Sequence, residues 1–66
     1  MSLTMEQRKA LAEAFAALAG QATNYRQRSA DAKLSGYHVA AERFSGMAEE
    51  SKQNGLVIAA MIREAR

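Results

Sequence analysis

Between residues 11 and 32, apolar and small residues recur at alternating steps of four and three: Leu11, Phe15, Leu18, Ala22, Tyr25, Ser29 and Ala32. Heptad-like spacing of this kind keeps one seam of a helix turned toward a neighbour. A second series with the same alternation runs Tyr37, Ala41, Phe44, Ala48, Ser51, Gly55, Ile58 and Ile62. Ahead of the first series, Thr4-Met5-Glu6-Gln7 has the form of a capping box, with Thr4 at the N-cap and Gln7 reaching back from the third helical position. Glu6 then sits in the first turn, where the helix dipole favours negative charge. Between the two series, Leu34-Ser35-Gly36 reads as a helix end and a short turn.

The expected elements are therefore helix 1 over about 4–34, a turn at about 35–36 and helix 2 over about 37–66. Two segments of roughly thirty residues, about 45 Å of helix each, around so short a turn describe an all-α antiparallel helical hairpin within a single helical domain, 1–66. A turn there sets opposite one another residues whose numbers sum to about 70. Leu11 then faces Ile58, Phe15 faces Gly55, Ala22 faces Ala48, Tyr25 faces Phe44, and Ser29 faces Ala41. Gly20 lies off the seam with no turn residues around it. Lys52-Gln53-Asn54-Gly55 carries a turn signal, so a kink or break near Gly55, with 56–66 as a third short helix, is the alternative to a continuous helix 2.

Leu56-Val57-Ile58-Ala59-Ala60-Met61-Ile62 is apolar without interruption. A helix packed on one neighbour needs an apolar stripe, not an apolar circumference. If Ile58 and Ile62 fill the seam, Val57 and Met61 point elsewhere, and helix 1 has a matching second stripe in Ala10, Ala14 and Ala17. These five residues are the expected self-association surface, pairing two hairpins into a four-helix dimer. A third helix covering the segment within one chain is the alternative.

Composition sharpens this picture. Fifteen of the 66 residues are Ala and none is Pro, which favours helix throughout, and the few β-branched apolar residues are too sparse for a sheet. A chain of this length buries only about 60% of its unfolded surface and needs reinforcement. The absence of Cys excludes disulfides and thiolate metal sites, which leaves a partner chain, here a second copy. No run approaches the roughly 18 apolar residues of a membrane span, and no secretory signal pattern opens the chain, so a cytoplasmic location with no membrane partner is expected. An interfacial helix is also disfavoured, because Arg63 and Arg66 are opposed by Glu64.

The chemistry-bearing residues are few. His38 and Glu42 share a helix face at i, i+4, but no second His and no Cys complete a catalytic or metal-binding set. Glu49 and Glu50 are adjacent and point about 100° apart on a helix. The glycines stand singly, so no phosphate-binding loop is present. No catalytic residue, cofactor or metal is expected, and the chain reads as a non-enzyme. The net charge of +2 resides in the middle of the chain, in Arg26, Arg28, Lys33 and Arg43 against Asp31 and Glu42, while the two ends balance.

Tyr and Arg are the side chains that most often anchor interfaces. Tyr25, Arg28, Tyr37, His38 and Arg43 are accordingly the expected contacts with a partner protein. The function expected is a homodimeric protein-binding module that regulates or inhibits its partner, of an adaptor, antitoxin-like or host-directed phage type from a bacterial or phage setting. The alternative is a small nucleic-acid-binding regulator that reads RNA shape, setting Arg26, Arg28, Lys33 and Arg43 on phosphates.

Overall fold

The structure, a computed structural model, describes residues 2–65. Two helices, α1 over Met5–Leu34 and α2 over His38–Glu64, pack side by side in an antiparallel hairpin 48 Å long and 14 × 10 Å across. The first helix starts where its cap directs. The Gln7 backbone N–H donates to Thr4 Oγ1 at 3.1 Å, and the Thr4 N–H donates to Gln7 Oε1 at 2.9 Å, which satisfies two of the free N-terminal donors.

The end of α1 is a Schellman motif. Gly36 takes the left-handed conformation with φ +83°, its N–H donates to the Lys33 carbonyl, and the Tyr37 N–H donates to the Ala32 carbonyl at 2.8 Å. This turn corrects one sequence expectation. Tyr37 does not continue the α2 seam. It precedes the helix as an N-cap with no side-chain bond, and its backbone is committed to closing α1, so the ring is left 67% exposed. The elements are also slightly shorter than expected, because Thr4 and Tyr37 are flanking residues. The C-terminal limit of helix 2 at 66 lies outside the described residues.

α2 runs unbroken through Asn54 and Gly55, so residues 56–64 are not a separate third helix. The Asn-Gly turn signal is overridden by packing. A Cβ built on Gly55 would stand 3.8 Å from the Phe15 ring and from Leu18 Cβ, so this position is held against α1. Just ahead of Gly55, Gln53 Nε2 donates to Glu49 Oε1 at 3.0 Å along the helix surface.

The seam pairs mirrored residues as expected. Tyr25 and Phe44 stack with ring centroids 6.3 Å apart, and Ser29 Oγ donates to the Ala41 carbonyl at 2.8 Å. Ala22 and Ala48 are both buried at mid-length. The fully covered positions are small, namely Ala22, Ala41, Ala48, Ser51 and Gly55. Small residues let the two backbones lie close, but they contribute little apolar area, so the hairpin has a thin core. The open end is closed by Arg8, whose guanidinium donates to the Ala65 carbonyl at 3.0 Å.

Candidate binding surfaces

A long hairpin exposes more surface than a compact chain of its mass. The accessible area is 5144 Å². The scaling for compact monomers gives about 4,100 Å² at 7.2 kDa, an excess of about 1,000 Å². The radius of gyration is 15.0 Å, against about 11 Å for a compact chain of this length. Among the described residues, no large side chain is fully buried, and Phe15, Leu56, Val57 and Met61 are each exposed near the open end.

The helical repeat assigns these side chains to two flanks of the hairpin. One flank carries a groove of about 210 Å³ lined by Gln21, Tyr25, Met47, Glu50, Ser51 and Asn54. Steps of three and four residues extend its rows to Ala17, Ala14 and Ala10 on α1 and to Val57 and Met61 on α2. Ala10, Ala14, Ala17 and Met61 therefore share this flank, and Val57 stands at its outer edge. Val57 is 60% exposed and Met61 is half exposed, Ala10 and Ala17 are exposed, and Ala14 is partly covered.

The other flank carries a groove of about 240 Å³ between Phe15, Ala19 and Gly55, with Leu56, Arg26 and Lys52 at its edges. Sequence reasoning did not single out this groove. Its apolar members are ordinary seam and near-seam residues, and only the pairing of the helices brings them beside Arg26 and Lys52.

The five residues expected to contact a partner are divided. Tyr37, His38 and Arg43 come together around a shallow depression at the turn, beside Gly36, Val39 and Ala40. Leu34 and Val39 are also strongly exposed there. Tyr25 is instead partly covered in the seam against Phe44, and Arg28 lies on α1 with its Nε donating to Asn24 Oδ1 at 3.1 Å. The cations of the middle segment are split as well. By helical phase, Arg26 and Lys33 belong to the Phe15–Leu56 flank, and Arg28 and Arg43 to the Val57–Met61 flank.

His38 and Glu42 border one shallow surface depression together with Ser29 and Lys33. Among the described residues, no group of three His, Asp or Glu side chains is placed to hold a metal ion. No helix in that range is long and apolar enough to cross a membrane.

These features define an all-α, two-helix hairpin with a groove on each flank and an exposed aromatic and basic turn. Comparison with known protein families, with characterised proteins and with solved structures gives no match to this chain.

Proposed function

We propose that this chain is a non-enzymatic protein-binding module that acts as a homodimer of hairpins and regulates or inhibits a partner protein docked at the turn. The observation that carries the reading is the excess of about 1,000 Å² of accessible surface over a compact chain. It accompanies a seam whose buried residues are all small. A standard interface buries about 800 Å² per partner, so the excess is the amount that one self-association face removes from water. The flank of Ala10, Ala14, Ala17, Val57 and Met61 is the proposed face, because both helices place apolar side chains there toward the open end, between Glu50 and Glu64. Tyr37, His38 and Arg43 at the opposite end remain free for the partner, with Tyr25 and Arg28 behind them on α1.

The test is solution mass by light scattering, with absorbance at 260 and 280 nm recorded on the same peak. A species of twice 7.2 kDa free of nucleic acid supports the reading. A folded monomer at about 100 μM, a concentration at which even weak dimers with a micromolar Kd are filled, overturns the dimer. Nucleic acid retained at low salt and released as the salt is raised transfers the function to the RNA-binding alternative.

A further inference from the structure

The groove between Phe15 and Leu56 has a chemical character that the opposite flank lacks. Its floor and walls are mostly apolar, formed by Phe15 (40% exposed), Ala19, Gly55 and Leu56 (51% exposed), with the hydroxyl residues Thr23 and Ser51 among them. Arg26 of α1 stands at its turn-ward end, and Lys52 of α2 borders it level with Ala19. Arg63 lies seven residues beyond Leu56, in the same row of α2 and toward the open end. The apolar centre is thus bracketed by positive charge at both ends, with about 16 Å of helix between Lys52 and Arg63. One carboxylate shares this row, Glu49, which lies one turn from Lys52 and accepts a hydrogen bond from Gln53 Nε2. The opposite flank carries Glu50 and Glu64 in the rows of Val57 and Met61.

A second copy of the chain is a poor occupant, since an isologous pairing through this flank sets basic groups against basic groups. The complementary occupant is a helix, which is what a groove between two helices accepts. Its apolar face needs one or two branched side chains for the space beside Phe15, and carboxylates about three turns apart to meet Lys52 with Arg26 at one end and Arg63 at the other.

We propose that the Phe15–Leu56 groove is a docking site for an amphipathic, acid-ended helix of a partner protein. This goes beyond the homodimer reading and does not depend on it. The groove lies on the flank away from Val57 and Met61, and the assay reads it whatever the mass of the chain.

The probes are a synthetic amphipathic peptide of about 14 residues, with leucines at helical spacing and two Glu at each end, and a twin with Lys in place of every Glu. Binding is followed by amide shifts of the labelled full chain. The acidic peptide is expected to saturate below about 1 mM, to shift residues around Ala19, Lys52 and Leu56, and to bind at least about tenfold tighter than its twin. The charge-reversed variant Arg26→Glu/Lys52→Glu, changed only at exposed positions, should invert that preference. Leu56→Asn should weaken both peptides without changing the far-ultraviolet dichroism.

Equal binding of the two peptides, saturation by neither, or shifts confined to the Val57–Met61 flank each overturn the proposal. So does binding to vesicles of mixed neutral and anionic lipid that the acidic peptide does not displace, an outcome that would assign the groove to a lipid surface.

Discussion

Alanine at Gly20 and Gly46 should stabilise the chain, and alanine at Gly36 should destabilise it. Gly20 and Gly46 lie inside α1 and α2, and an added Cβ at either position meets nothing within 4 Å. The gain is therefore the helix-propensity difference alone, about 0.8–1 kcal/mol per site. Unfolding entropy near 2.1 cal/mol/K per residue gives about 140 cal/mol/K for a chain of this size, so each substitution raises Tm by about 6–7 °C and the pair by about 13 °C. Gly36 also has open space around its Cβ position, but its φ of +83° is the left-handed region, where an L side chain costs about 1–2 kcal/mol. Gly36→Ala should lower Tm by about 7–14 °C.

Thermal melts followed by dichroism at 222 nm check the series. They need two protein concentrations, since coupled dimer formation makes Tm concentration-dependent. A loss of stability at Gly20 or Gly46 would refute the reasoning, because it requires another surface within reach of a Cβ on the outward face. An unchanged Tm for Gly36→Ala would refute the turn geometry.

Other outcomes follow from the same contacts. Thr4→Ala removes the cap bond to the Gln7 N–H and should cost about 1 kcal/mol, or about 7 °C in a melt. Val57→Glu strips apolar burial from both copies of a two-fold interface, at about 1.5 kcal/mol or more per copy, so the dimer dissociation constant should rise at least about 100-fold by light scattering. A dimer that persists unchanged in that variant places the interface elsewhere. Tyr37→Ala with Arg43→Ala alters exposed residues only and should leave stability within about 0.5 kcal/mol while abolishing capture of the partner. Unchanged capture removes the turn from the docking surface.

Much of the fold was legible because the hairpin is mirrored about one glycine. Once Leu34-Ser35-Gly36 is read as the turn, the facing of Phe15 with Gly55, Tyr25 with Phe44 and Ser29 with Ala41 follows from arithmetic, and the structure shows each of these contacts. Tyr37 was misplaced because periodicity describes residues inside a helix, and the Schellman motif holds Tyr37 outside one. The continuous helix 2 runs on through Asn54-Gly55, where a local turn preference yields to tertiary packing against Phe15 and Leu18.

The sites were less legible. Spacing defines the seam but not the handedness of the pair, so it does not say which flank of α1 meets which flank of α2. That choice is what brings Arg26 and Lys52 to one groove and separates them from Arg28 and Arg43. Long polar side chains add contacts that no pattern announces. Ser51 Oγ donates to Gln21 Oε1 at 3.0 Å, and Arg8 reaches the Ala65 carbonyl.

The mirrored pairing also sets an order of events in folding and fraying. Contacting residues are 12 apart in sequence at Ser29–Ala41, 30 apart at Gln21–Ser51 and 57 apart at Arg8–Ala65. Closing the small loop at Gly36 is cheapest in chain entropy, and each layer brings the next within reach, so the hairpin zips from the turn outward. The far end closes last and opens first, and its amides should exchange with solvent faster than those at mid-length. The exposed apolar side chains of Val57 and Met61 lie in that fraying end. A molecule that grips them there slows the exchange of the least protected part of the rod, so its affinity can be read from amide protection alone.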